Sequence, residues 1–139
     1  MTRSVVLDTN IVLDLLVFDD PAARPLKAAL DGGAVRWLAT PPMREELERV
    51  LAYPRLVPRL AACGLSTGEV LARFDRGIHA VAPAPRAQAI CKDPDDQPFI
   101  DLAVAHGALL LSKDNDVLRL KKRLATLGVA VQCAIKDVA

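Results

Sequence analysis

The stretch Val5-Val6-Leu7-Asp8-Thr9-Asn10, an apolar run that ends in a carboxylate, constrains the fold of this chain more than any other. Consecutive apolar and β-branched residues suit a strand buried on both faces, while Asp, Thr and Asn favour helix N-termini. Beyond Asn10, Ile11-Val12 and Leu15-Leu16 recur at helical spacing. The segment therefore reads as strand, Asp-Thr-Asn turn and helix, the βα unit of an α/β sheet. Ligands of such sheets bind at the carboxyl ends of the strands, which is where Asp8 falls. Taken alone, an Asp at that place is a helix cap; it becomes chemically interesting only if other acids converge on it.

The 139 residues have the size of one ordinary domain, with a core over about residues 4–135 and a short C-terminal tail. A hydrophobic fraction of 52% and a charged fraction of 25% exclude a disordered chain. The formal net charge of +1 announces neither a nucleic-acid nor a membrane partner, so any such partner must be argued from local patches. One Trp and one Tyr are too few for a base-stacking platform. Cys63, Cys91 and Cys133 form no CxxC pair and read as buried thiols in a reducing compartment, not as a disulfide framework or zinc site. No stretch reaches the ~18 apolar residues of a membrane span, and the N-terminus lacks a basic segment followed by a long apolar core. A soluble, cytoplasmic protein without a membrane partner is expected.

Further along, patterning predicts strands at 4–8, 35–39, 108–112 and 129–135, with a short one at 78–81. Helices are predicted at 10–18, 22–30, 44–51, 99–106 and 117–127, the last of them basic, and Ser66 with Glu69 forms a capping box for a helix reaching about Arg76. Gly32-Gly33 and Gly107 close helices. Pro54 and Pro58 break the middle into short helical pieces, and Trp37 is expected in the core. The alternation of strands and helices predicts a parallel sheet covered on both faces.

Four acids then gather at one edge of that sheet: Asp8 after the first strand, Glu46 after the second, Asp114 after the strand near 110, and Asp96 at the start of the helix that feeds it. Two like charges about 4 Å apart repel by roughly 4 kcal/mol at an effective dielectric of about 20, so such a cluster needs a cation or a shared proton. The neighbouring donors, Thr9, Asn10 and Ser112, are all oxygen or amide groups, and neither His79 nor His106 lies in the acid-bearing segments. Oxygen ligands suit Mg²⁺ or Mn²⁺ and disfavour zinc or copper.

These motifs carry a resemblance. Asp8-Thr9-Asn10 after an apolar strand, Glu46-Leu47 followed by Val50-Leu51, Asp93-Pro94-Asp95-Asp96, and Leu111-Ser112-Lys113-Asp114 resemble, in order and spacing, the motifs of PIN-domain ribonucleases. The resemblance runs from about residue 4 to residue 135 and is closest to the bacterial group described as toxin components of toxin-antitoxin pairs. It implies a three-layer α/β/α sandwich with a central parallel sheet, and Mg²⁺- or Mn²⁺-dependent hydrolysis of RNA by water, leaving a 5′-phosphate. It carries the acidic quartet onto Asp8, Glu46, Asp96 and Asp114, with Asp8, Asp96 and Asp114 on the metal. Asn10, Ser112 and Thr9 become supporting polar groups. Thr40 stands where many relatives have Ser, and Glu45, Asp93 and Asp116 lie close enough to their neighbours for the assignment to slip within each cluster.

Two basic groups are candidate RNA tracks beside the acids: Arg119, Lys121 and Lys122 with Arg123, and Arg44 and Arg49 near the glutamate helix. The apolar side of residues 42–76 either covers the sheet or forms a homodimer or antitoxin groove. Two other function classes remain open here. One is a PIN-like protein that binds RNA or a partner without cutting. The other is a phosphotransfer protein phosphorylated on Asp8, although such proteins usually want a second acid where Asn10 stands.

Overall fold

The structure, a computed structural model, describes residues 2–134. Strands β1 (Arg3–Leu7), β2 (Val35–Ala39), β3 (Ile78–Ala80), β4 (Leu109–Leu111) and β5 (Val131–Gln132) form one sheet in the order β3-β2-β1-β4-β5. All four pairings are parallel, with Val5 opposite Trp37 on one side and opposite Leu109 on the other. Val5, Val6 and Leu7 of β1, the central strand, and Leu109 to Leu111 of the adjoining β4 are all buried. Both faces of these strands are covered, as the unbroken apolar runs require.

The connections explain the layers. Between β1 and β2 lie α1 (Thr9–Leu16), a 3-10 turn at Pro21–Ala23 and α2 (Arg24–Asp31); between β2 and β3 lie α3 (Pro41–Leu51), α4 (Val57–Ala62) and α5 (Thr67–Gly77). The chain then crosses back over the sheet through α6 (Gln97–His106) to β4, and through α7 (Asn115–Leu118) and α8 (Lys121–Thr126) to β5. Parallel crossovers are right-handed, so the reversal after β3 puts α1 to α5 on one face and α6 to α8 on the other. The reversal falls between β1 and β4, which makes their carboxyl ends the switch point where α/β sheets bind ligands.

Most boundaries follow local chemistry. Helices α3 and α6 begin three and two residues earlier than apolar periodicity predicts, because Pro41-Pro42 and Pro98 occupy first turns, where no backbone N–H is needed. The Ser66–Glu69 capping box is present, with Glu69 N–H donating to Ser66 Oγ at 3.1 Å and Ser66 N–H to Glu69 Oε1 at 3.3 Å. Gly107 adopts the left-handed conformation (φ 59°) that ends α6. The expected helix at 22–30 is split into a 3-10 turn, capped by Asp20 at Ala22 N–H, and α2.

The single basic helix expected at 117–127 is instead two short ones. In a continuous helix Leu118 and Leu120 would lie about 160° apart. The break at Arg119–Leu120 lets both, with Leu127, pack against the core around Val117 and Leu124. Of the three cysteines only Cys91 is buried; Cys63 and Cys133 are exposed and all three are free thiols. The last strand is limited to Val131–Gln132, and Ile135, its expected end, lies outside the described residues.

The 42–76 segment covers its own face of the sheet. Leu47, Leu51, Leu56, Leu60, Val70, Leu71 and Phe74 are buried in the core, and Trp37 of β2 meets the Phe74 ring edge-on at 5.1 Å. Among the described residues no helix is long and apolar enough to cross a membrane.

Candidate active site at the carboxyl edge of the sheet

Asp8 follows β1 and is 3% exposed. Its Oδ1 accepts from Ile11 N–H at 3.0 Å, so it does cap α1. Its Oδ2 accepts the Ser112 hydroxyl, which comes from the end of β4. Asp8 N–H also donates to Leu111 O at 3.1 Å, continuing the β1–β4 pairing to the residue that carries the carboxylate. Burial pushes the Asp8 carboxyl above its ordinary range, and the bonds from Ser112 and Ile11 only partly offset it.

Asp114 sits on the adjoining turn. Its N–H donates to Ser112 Oγ at 3.1 Å, and its Oδ1 accepts from Asp116 N–H at 2.8 Å, capping α7. Ser112 thus joins the Asp8 carboxylate to the Asp114 backbone from a fully buried position.

Asp96 precedes α6 and behaves differently. It makes no cap bond to its own helix, and its buried Oδ2 has no hydrogen-bond partner. Burial, then the negative charges of Asp114, Asp93 and Asp8, push its carboxyl up to about 7. Of those neighbouring charges Asp114 acts most strongly, and all of them favour the protonated form of Asp96.

Glu46 reaches the same edge from α3. Thr9, the residue after Asp8, donates its hydroxyl to Glu46 Oε2 at 2.6 Å. Half-burial raises the Glu46 carboxyl above its usual range, Thr9 opposes the rise, and Asp95 and Asp8 add to it. Glu45, by contrast, is exposed. Asp93 is occupied with its own turn, accepting from Asp95 N–H at 2.9 Å, and Asp116 pairs with Arg119 at 3.4 Å. The structure thus brings Asp8, Asp96, Asp114 and Glu46 toward one another, with Ser112 and Thr9 as their donors. Thr40 is buried and starts α3 through its carbonyl, which accepts from Met43 and Arg44 N–H, without a side-chain cap. Asn10 is exposed on the first turn of α1.

Among the described residues no three Asp, Glu, His or Cys side chains are gathered into a ready ligand cage. The donor set nevertheless fits a hard cation. It consists of oxygens only, it includes a buried carboxylate oxygen with no partner, and its charges oppose one another.

Of the basic candidates, Arg44 is committed to protein: its guanidinium makes two bonds to Asp75, at 2.8 and 3.0 Å, and lies 3.8 Å from Glu48. Arg49 stands with Glu46, Met43, Pro94, Asp95 and Phe99 along a cleft of about 140 Å³ beside the acids. Lys121 and Lys122 are exposed on α8. A wider cleft of about 440 Å³, between Leu15, Leu30 and Arg73, contains none of the four acids. Two contacts at the site had no separate expectation. Lys113 is ion-paired with Asp14 of α1, and Gln97 is buried just behind Asp96. The signal for Gln97 was its i,i+4 spacing to Asp101 on an otherwise apolar helix.

A family model described as a PIN domain matches residues 4–116. Among solved structures, the crystal structure of VapBC2 from Rickettsia felis bound to a DNA fragment from their promoter contains a similar chain. It superposes with a TM-score of 0.61 at 12% identity, covering 93% of this chain and 98% of that one. Comparison with curated proteins gives no match.

Proposed function

The chain belongs to the PIN-domain family, and from that premise we propose that it is a Mg²⁺- or Mn²⁺-dependent endoribonuclease, the toxin of a toxin-antitoxin pair. The observation that carries the reading is the bare, buried Oδ2 of Asp96 facing Asp114 and Asp8 at the switch point of the sheet. Such an arrangement costs stability and contributes nothing to packing, which marks it as a site that gains a partner on binding.

Asp8, Asp96 and Asp114 hold the cation. A bound Mg²⁺ or Mn²⁺ supplies a polarised water and neutralises charge at the phosphate. Ser112 fixes the direction of the Asp8 carboxylate and ties it to the turn bearing Asp114. Thr9 holds Glu46 at the rim, where its raised carboxyl is suited to orienting a water and accepting its proton. Arg49, Lys121 and Lys122 are the cations available to RNA phosphates, since Arg44 is engaged by Asp75. The similar chain belongs to an assembly named VapBC2, and with the resemblance to toxin components this supports a protein antitoxin as the partner. One domain in the cytoplasm is the form in which we propose that the chain acts.

The test is cleavage of a mixed tRNA and single-stranded RNA panel with Mg²⁺, Mn²⁺ or EDTA, run beside Asp8→Asn. Metal-dependent cuts that disappear in the variant are expected. RNA bound equally by both proteins, with no cutting under any metal, would replace this reading with that of a non-catalytic binder.

A further inference from the structure

Behind the acids lies a buried polar network that the chemistry above does not use. Gln97 is 4% exposed on a helix whose other buried residues are apolar. Its Oε1 accepts from Cys91 N–H at 2.6 Å, and its Nε2 donates to Ala89 O at 2.9 Å and to Asp101 Oδ1 at 2.8 Å. Asp101 Oδ1 also accepts from Ala87 N–H at 2.8 Å. The backbone groups engaged belong to residues 87, 89 and 91, the every-other-residue pattern of a strand edge. Two side chains of α6 therefore stand in for a neighbouring strand.

The chain leaves this clamp at Cys91 and returns to it at Gln97, and the acidic turn is what lies between. The turn is itself closed by Asp95 N–H to Asp93 Oδ1 at 2.9 Å and Asp96 N–H to Asp93 O at 3.1 Å. Unlike Asp8 and Asp114, Asp96 has no cap bond of its own to aim its carboxyl. Its direction is set by where the backbone at 96 is held, and Gln97 holds it.

We infer that Gln97 and Asp101 are positioning residues that hold the 91–96 turn in shape, so that Asp96 faces Asp8 and Asp114 before a cation arrives. The inference rests on reading those acids as a divalent-cation centre. Groups that orient metal ligands commonly change affinity by about 10- to 100-fold when removed.

The experiment is Mn²⁺ titration calorimetry on the full chain at one fixed pH, together with amide hydrogen exchange in the absence of metal. Gln97→Ala is expected to weaken Mn²⁺ binding at least ~10-fold and to speed exchange at Cys91. Asp101→Asn, which keeps the Oδ1 acceptor, should stay within about threefold of the parent. Ile100→Val, a core substitution on the same helix, should lower the melting temperature and leave Mn²⁺ affinity unchanged. Parental Mn²⁺ affinity in folded Gln97→Ala overturns the inference. Should that variant not fold, Asp101→Ala carries the same expectation and the same overturning result. A parent chain that takes no Mn²⁺ sinks the cation-centre reading itself, a failure visible before any variant is compared.

Discussion

The Ser112 hydroxyl donates to Asp8 Oδ2 from the neighbouring strand, across 104 positions of sequence. Its oxygen simultaneously accepts from Asp114 N–H, so one buried hydroxyl sets the spacing of two acids. Ser112→Ala is expected to cost about 1–3 kcal/mol, because a buried carboxylate oxygen loses its donor. It should also reduce metal-dependent RNA cleavage by roughly 10- to 100-fold. Thermal melts and cleavage rates at saturating Mn²⁺ check both; parental activity in a destabilised variant would reduce Ser112 to a packing role.

The raised carboxyls give the metal-free protein an unusual pH dependence. The ordinary value for Asp96 is 3.8 and its folded value is about 7, so the native state keeps a proton that the unfolded chain has already released. Stability therefore falls as pH rises from about 4 to about 7 and is level above that. Asp8 and Glu46 are shifted in the same direction. Asp96 is half-buried, so solvent screening limits its share to on the order of 1–2 kcal/mol. Melts in EDTA at about pH 5 and about pH 8 should show the higher midpoint at the lower pH, and Asp96→Asn should shrink the difference. Added Mn²⁺ should stabilise more at the higher pH, where it has no proton to displace.

Gly77 ends α5 against the sheet, and a Cβ placed there would come within 3.1 Å of Trp37 Cζ3. The indole has no room to retreat, being 2% exposed and set edge-on to Phe74. Gly77→Ala is therefore expected to destabilise by about 1–2 kcal/mol through overpacking. Because this chain has one Trp, near-ultraviolet circular dichroism reports the disturbance directly.

RNA affinity should respond unequally to the basic residues. Arg44→Ala is expected to leave binding nearly unchanged, since its guanidinium is already bound by Asp75. Removing Arg49, Lys121 or Lys122 should weaken binding and lower the slope of log affinity against log salt by roughly 0.7 per lost contact to a single strand. Fluorescence anisotropy with a labelled oligonucleotide at several salt concentrations separates the two cases. A large loss from Arg44→Ala would mean that the Asp75 pair opens on RNA.

Local pattern carries most of this architecture. Val5–Leu7, Val35–Ala39 and Leu109–Leu111 are apolar enough to announce central strands, and Ser66 with Glu69 announces the start of α5. Asp8, Asp96 and Asp114 are visible because each stands where a helix begins, and Glu46 because it lies on the helix that follows the second strand. What local pattern misses depends on distant partners. The split at Arg119–Leu120 answers to a core that Leu118 and Leu120 must both reach. The commitment of Arg44 depends on Asp75, 31 residues away, and the burial of Gln97 depends on a loop with no strand to pair with.

The strand order also decides when the four acids can meet. β1 is made first, yet its partner on the far side, β4, begins at Leu109, so Asp8 waits for most of the chain before Ser112 and Asp114 exist to complete its surroundings. An N-terminal part of the chain that stops before β4 carries Asp8, Glu46 and Asp96 but lacks Ser112 and Asp114. Synthesis runs from the N-terminus, and long-range parallel pairing is slow to form. The four acids therefore come together only with the finished sheet.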